Sequence, residues 1–358
     1  MRIAYVLTQD RGGPVDVTVR LAATLLGSGA AEVRVFGPVP ARGAKSIAGH
    51  HEEIAVTSKG NLAAVRSARR AIRAWRPDVV HAQDRRSGLV CAGMRNVVHT
   101  YHGVPDDVGE PWFRGVAGAP GPSRYTRAVL AADAVVARAA RRTVVPAPVM
   151  GEFLRRRLRV PAHRLVHIDN CVDLPPVAVS PGPVRRLVFV GLLVERKGIL
   201  DLLRALSSRG VLPPGAGLTI AGDGPLRAEA ESLAAPLGDR VRFLGFHADV
   251  PGLLAAADAL VLPSTMEQQP LVVAEAMAAG KLVLATDTGG VADMLDVPGA
   301  ARYLAAPGEV GDLAARLREL FADPDPVRTG RLLAARARER FSPEACADAH
   351  LELYRGLS

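Results

Sequence analysis

PSTMEQQPLVVAEAMAAG, residues 263–280, lies between two apolar runs, Leu260–Pro263 and Leu282–Thr286. Both runs have the length and composition of buried strands, and the segment between them carries helix punctuation. Pro270 stands where a first-turn proline belongs, and Gly280 supplies a C-terminal stop. Strand, helix and strand in that order predict a parallel α/β unit, the helix entering just past the end of a strand. Backbone N–H groups from about Gln269 to Val272, that of Leu271 included, then lack intrahelical partners. Such a helix N-terminus is an anion site suited to a diphosphate. Glu267 falls in the loop ahead of the helix and Glu275 one to two turns inside it, about 10 Å away if the turn is helical. Ionised carboxylates accept hydrogen bonds from vicinal hydroxyls, so the pair suits a ribose and a second sugar. A surface helix with two solvated glutamates is the plainer alternative.

The same alternation continues outward. Arg2–Leu7 predicts a strand, Gly12-Gly13 a turn, and Val15, Val19, Ala22, Ala23 and Leu26 one face of a helix. Further strands are predicted at Glu32–Phe36, Val79–Ala82, Asn96–Thr100, Ala134–Ala137 and Ile168–Asp173. Asp173–Pro183 holds prolines at 175, 176, 181 and 183 without periodicity and reads as a linker. Beyond it, strands at Leu187–Val190, Leu218–Ala221 and Val241–Leu244 alternate with helices at Gly198–Leu206, Arg227–Leu233 and Val250–Ala256. The C-terminal stretch reads as helical apart from Asp323-Pro324-Asp325-Pro326. The expectation is an α/β chain of two Rossmann-like parallel-sheet domains, residues 1–175 and 184–342, with a cleft between them and ligands at the carboxyl ends of the strands.

Composition narrows the function. The 358 residues suit two or three domains at roughly 150 each. A net charge of +9 invites anionic partners, but the arginines are scattered through alanine-rich segments and aromatics make up only 4%. A nucleic-acid partner needs basic groups gathered on one face among stacking aromatics, and none is expected here. No uncharged apolar stretch nears about 18 residues, so no transmembrane helix is predicted. Cys91, Cys171 and Cys346 are too few and too far apart for a disulfide scaffold or zinc module, and predict a reducing, cytoplasmic setting. The run FLRRRLR, Phe153–Arg159, reads as a solvated helix face in preference to a peripheral membrane contact.

Several short motifs make the chain recognisable. The E-x7-E arrangement of Glu267 and Glu275, followed by Ala276-Met277-Ala278-Ala279-Gly280, resembles glycosyltransferase family 4, the retaining transferases of GT-B fold. Met1–Leu7 with Gly12-Gly13 resembles the family's opening strand and glycine loop, and Pro77–His81 its PDVVH strand. Thr100–Gly103 resembles T-x-H-G, Asn170–Asp173 the NGVD ahead of the linker, and Gly191–Gly198 the GRLxxxKG segment. Ala221–Pro225 resembles GDGP, and Asp287–Gly290 TDxGG. Their order and spacing cover nearly the whole chain.

The resemblance implies a GT-B fold in which residues 343–358 form a helix packing back on the first domain. It implies transfer of a hexose-type sugar, with retention, from a nucleotide-diphosphate sugar such as a UDP-sugar to an acceptor hydroxyl. The C-terminal domain would take the donor. The N-terminal domain would take a small-molecule or glycan acceptor, such as a natural product or aminocyclitol. Lys197 matches the lysine that neutralises the departing diphosphate, Glu267 the glutamate beside the donor sugar, and Glu275 the ribose-binding glutamate. His102 matches the histidine near the reaction centre, and Gly12 and Gly13 the loop that closes over the diphosphate. Arg196, Gly245, Gln269, Pro270, Leu271 and Val272 fall in the donor-binding loops. Gln83, Asp84 and Asp106, with Asp107, are candidate acceptor ligands, whereas Arg85 and Arg86 suit a phosphate. No metal is expected at the reaction centre, and no cofactor beyond the nucleotide-diphosphate sugar as co-substrate.

Two departures stand out. Leu192 occupies the position of the arginine in GRLxxxKG, which removes one of two expected diphosphate cations, and Cys171 replaces the glycine of NGVD. Leu192 keeps open a degenerate, non-catalytic sugar-nucleotide-binding subunit, and a nucleotide-sugar epimerase of the same fold is the other alternative. Other motifs fail: Gly222–Arg227 lacks the third glycine of a dinucleotide loop, and no G-x-S-x-G occurs.

Overall fold

The structure, a computed structural model, describes residues 1–54 and 62–357. The chain divides into two compact units. The first comprises Met1–Asp107, Gly121–Val172 and Ser342–Ser358; the second comprises Val108–Pro120 and Asp173–Phe341.

Seven parallel strands build the sheet of the first unit: β1 (Arg2–Val6), β2 (Glu32–Gly37), β3 (His51–Glu53), β4 (Val79–Ala82), β5 (Val97–Thr100), β6 (Arg142–Val145) and β7 (Leu165–His167). Six parallel strands build that of the second: β8 (Arg186–Val190), β9 (Gly217–Ala221), β10 (Val241–Gly245), β11 (Ala259–Leu262), β12 (Leu282–Thr286) and β13 (Leu304–Ala305). The spatial orders are β3-β2-β1-β4-β5-β6-β7 and β10-β9-β8-β11-β12-β13. Each sheet therefore starts in its interior, winds to one edge and restarts on the other side, so a switch point falls between β1 and β4 and between β8 and β11. Ligands of doubly wound sheets sit beyond the carboxyl ends of the strands at that point.

The strands read as unbroken apolar runs because helices cover both faces of a parallel sheet. In β11 and β12 every residue is buried. One device recurs at the other end of each switch point. Asp78, just before β4, accepts the Arg2 N–H at 2.7 Å. Asp258, just before β11, accepts the Arg185 and Arg186 N–H groups at 2.9 and 2.8 Å and the Arg186 guanidinium at 2.6 Å. A carboxylate at the entry of the later strand thus fixes its register against the earlier one.

Two sequence expectations need correction. Ala134–Ala137 is not a strand but the end of a helix, Arg124–Ala139, whose buried positions Thr126, Leu130, Ala134 and Ala137 recur every three to four residues. The valines inside it suggested a strand, while the helical period, started by the Ser123 cap, governs. The strand of this region is β6. Ile168–Asp173 carries no strand, since the chain leaves the sheet after β7. The short edge strands β3, β7 and β13 were not foreseen. Among the described residues no helix is long and apolar enough to cross a membrane.

Candidate functional site

At the switch point of the second sheet, two loops leave neighbouring strands. The loop after β8 turns through Gly191–Gly198 and carries Lys197; the loop after β11 runs from Pro263 to Pro270 and carries Glu267. Their backbones are joined by the Thr265 N–H donating to the Arg196 carbonyl at 2.8 Å. Across this seam the Lys197 ammonium pairs with Glu267 Oε1, with only 17% and 10% of the two side chains exposed. The same oxygen accepts the Ser264 hydroxyl at 2.8 Å. A largely buried carboxylate is tolerated because a cation and a hydroxyl satisfy it.

The loop of TDTGG, Thr286–Gly290, closes over the Glu267 backbone from the next strand, β12. The Glu267 N–H donates to Thr288 Oγ1 at 3.2 Å, and the Gly290 N–H donates to the Gln268 carbonyl at 2.7 Å. Gly289 has φ +55°, and a Cβ there would lie 1.9 Å from the Glu267 carbonyl oxygen. Only glycine permits both that conformation and that approach.

The helix following Glu267 runs Leu271–Ala278, with Pro270 as its N-cap residue and not its first helical one. The Val273 N–H bonds the Pro270 carbonyl at 3.1 Å, which leaves the amides of Leu271 and Val272 at the orphan positions of the first turn. Gln269 is buried and Glu275 half-buried. Gly245 ends β10 with φ +68°, its carbonyl accepting the Gly222 N–H at 2.8 Å. Leu192, 64% exposed, stands in the first turn after β8.

The first unit carries the remaining candidates. Gly12, with φ +102°, is the N-cap of the helix Gly13–Gly27 that follows β1. Gln83, buried at the end of β4, has its Oε1 3.1 Å from His102 Nε2. Burial, with His99 and His350 adding to it, pushes His102 down to about 3, so the ring is neutral near pH 7. The neutral ring that donates Nε2–H to Gln83 keeps Nδ1 as an acceptor. Asp106 is exposed.

Asp84 is engaged within the fold. Its carboxylate accepts the Thr8 N–H, the Thr8 hydroxyl and the Ser87 N–H, each at 2.8 Å, and closes a capping box on the helix Arg85–Cys91. A carboxylate so committed holds the chain after β1 to the chain after β4 and serves as a structural cap. Arg85 likewise pairs with buried Asp133, its Nη2 3.0 Å from Oδ2.

Sequence reasoning gave no role to Ser264, Thr288, Glu110 or Arg114. Thr288 and Ser264 lay inside quoted motifs, and their signal was their place beside Glu267 at a strand end. Glu110 had no signal, because its partners are distant in sequence.

Residues 11–175 match the family described as Glycosyltransferase Family 4, and residues 184–323 that described as Glycosyl transferases group 1. The chain is 30% identical over 297 residues to a glycogen synthase of Mycobacterium tuberculosis, covering 79% of this chain and 69% of that protein. It is 32% identical over 193 residues to the 2-deoxystreptamine glucosyltransferase of Streptomyces kanamyceticus, covering 48% and 50% of the two chains. Among solved structures, HepE (Alr3699) of Anabaena in complex with UDP and glucose superposes with a TM-score of 0.79 at 22% identity, over 99% of this chain and 100% of that one.

Proposed function

Since the chain belongs to the GT-B glycosyltransferases described by Glycosyltransferase Family 4 and Glycosyl transferases group 1, we propose that it transfers a hexose from a nucleotide-diphosphate sugar to an acceptor hydroxyl with retention of anomeric configuration. The observation that carries this reading is the Lys197–Glu267 pair at the second switch point. On donor binding, the diphosphate replaces Glu267 as the counter-ion of Lys197, and the freed carboxylate turns to sugar hydroxyls. The Leu271 and Val272 amides at the helix N-terminus meet a phosphate, and Glu275 meets the ribose.

In the step itself, the acceptor oxygen forms its bond to the anomeric carbon on the face from which the diphosphate departs. The glycosidic C–O bond to phosphate breaks, and the acceptor's hydroxyl proton passes to the leaving phosphate oxygen. Lys197 stabilises the charge that grows on that oxygen; a preorganised cation of this kind contributes about 3–4 kcal/mol to the barrier. No side chain serves as a nucleophile. His102, neutral at working pH, acts through hydrogen bonds and not as an acid. A small polyol such as an aminocyclitol is the acceptor class we favour, supported by the likeness to the 2-deoxystreptamine glucosyltransferase.

Thermal unfolding with UDP, ADP, GDP and dTDP in parallel tests the donor half. At 100 times its dissociation constant, one nucleotide adds about 2.7 kcal/mol, roughly 5–10 °C, and Glu275→Ala abolishes the shift. Exposed Leu192 favours a second reading, a binding subunit without turnover. Release of nucleotide from the matching nucleotide sugar excludes it. If no nucleotide shifts the transition, the donor reading fails. Incubation with 2-deoxystreptamine and NMR of the product's anomeric proton then test acceptor and retention.

A further inference from the structure

Between the loop that carries His102 and the helix Arg124–Ala139, the chain leaves the first unit for thirteen residues, Val108–Pro120, which belong to the second. The segment forms one short helix, Glu110–Arg114, closed by Gly115 in the left-handed conformation. Its first residue is a glutamate with only 8% of its side chain exposed, an unusual place for a carboxylate unless it is fully satisfied. Its partners are specific. Glu110 Oε2 accepts the Thr288 hydroxyl at 2.8 Å, and Oε1 accepts the Gly289 N–H at 3.0 Å and the Arg114 guanidinium at 2.6 Å. Arg114 reaches on to Asp287 Oδ1 at 3.2 Å.

Thr288 makes this arrangement directional. Its hydroxyl has one proton, given to Glu110, and a lone pair that accepts the Glu267 N–H at 3.2 Å. The order is therefore Glu267 N–H to Thr288 O–H to Glu110 carboxylate, a chain in which each bond polarises the next. Gly289, held by the same carboxylate, is the residue whose missing Cβ lets the Glu267 carbonyl approach. Glu110 thus fixes the Glu267 backbone through both its N–H and its C=O neighbours.

We propose that Glu110, acting through Thr288 and Gly289, is a positioning residue for the donor-sugar carboxylate of Glu267. The inference rests on the transferase reading above. Bond formation at the anomeric carbon demands that Glu267 hold the sugar within a fraction of an ångström, whereas nucleotide binding relies on Lys197, Glu275 and backbone amides. Loss of Glu110 accordingly lowers turnover and spares nucleotide affinity. A merely structural role would lower both with the melting temperature.

The test compares wild type with Glu110→Ala, Thr288→Val, Thr288→Ser and Glu267→Gln. The donor is the sugar form of whichever nucleotide raises the melting temperature, and nucleotide release is followed without added acceptor. Thr288→Val is isosteric and removes only the hydroxyl, so it keeps the test sound if Glu110→Ala folds poorly. Expected are release rates roughly 10- to 100-fold lower for Glu110→Ala and Thr288→Val, near-wild-type rates for Thr288→Ser, and nucleotide affinity within about twofold in these three variants. Hydrogen exchange should accelerate at the Gly289 amide in Glu110→Ala and at the Glu267 amide in Thr288→Val. If both turn over donor like wild type while Glu267→Gln is impaired, the positioning role is wrong and the transferase reading stands. If turnover and nucleotide affinity fall together, the role is structural. A wild type that releases nucleotide from no sugar form removes the transferase reading and the positioning role with it.

Discussion

Lys197 and Glu267 are each other's counter-ion, and this has a measurable consequence at the scale of single residues. Removing one partner leaves the other largely buried and uncompensated, which costs about 3 kcal/mol. Lys197→Met and Glu267→Gln should therefore each lower the unfolding free energy, and the double variant should lose less than the sum of the two. Urea unfolding of the four proteins decides; additive losses would mean that the pair exchanges no net energy. At this scale the sequence was generous. Glu267, Glu275 and Lys197 were legible because strand ends and helix starts mark themselves locally, through Pro270 and through glycines. Glu110 was not, since a buried glutamate announces itself only by partners at 288 and 289, almost two hundred positions away. Asp84 was legible as a carboxylate beyond a strand, but its capping partners were not. The residues that occupy it, Thr8 and Ser87, include one from another strand's exit.

At the scale of elements, Asp84 gives a second prediction. The capping box it closes and the two bonds from Thr8 tie the helix Arg85–Cys91 to the end of β1. Asp84→Ala should cost about 2 kcal/mol of stability, with Asp84→Asn restoring a good part. Acceptor KM should stay unchanged in both; a KM effect without a stability effect would return Asp84 to the acceptor site. Most elements of the second unit were legible, down to the bounds of Val250–Ala256 and Leu282–Thr286. Interior strands of a parallel sheet are apolar on both faces and announce themselves. The strand wrongly placed at Ala134–Ala137 shows where that rule misleads. A helix buried along one side with valines at 135 and 136 has the composition of a strand, and only the three-to-four-residue repeat of burial tells them apart. β3 and β13, three and two residues long at the sheet edges, have too few side chains to carry a pattern.

At the scale of the whole molecule, the first unit's core is built around neutral histidines. His81 is wholly buried, its Nδ1 2.5 Å from the Tyr354 hydroxyl and its Nε2 2.7 Å from Thr100 Oγ1. Burial holds His81 well below the ordinary imidazole range, His99 and His350 down to about 4, and His102 to about 3. Unfolded, each regains a pKa near 6.5. Between about pH 6.5 and 4 the unfolded chain therefore binds protons that the folded one refuses, and stability falls as pH falls. The slope is about 1.4 kcal/mol per pH unit for each histidine. Thermal unfolding from pH 8 to 5 should show a plateau above about pH 7 and a steep decline below it. A transition temperature level down to pH 5 would contradict neutral buried rings.

Tyr354 and His350 lie on the helix Pro343–Arg355, which belongs to the first unit although the helix just before it, Pro326–Arg340, belongs to the second. Translation therefore completes the two units in the reverse of their order in the sequence. Every residue of the second unit precedes Ser342, whereas the first unit also needs Ser342–Ser358. A chain truncated after Phe341 therefore keeps the whole second unit, while β1 and β4 lose the helix that supplies the Tyr354 hydroxyl to Tyr5 and His81. Limited proteolysis of that truncated chain should thus leave a resistant second unit and a first unit that is readily cleaved.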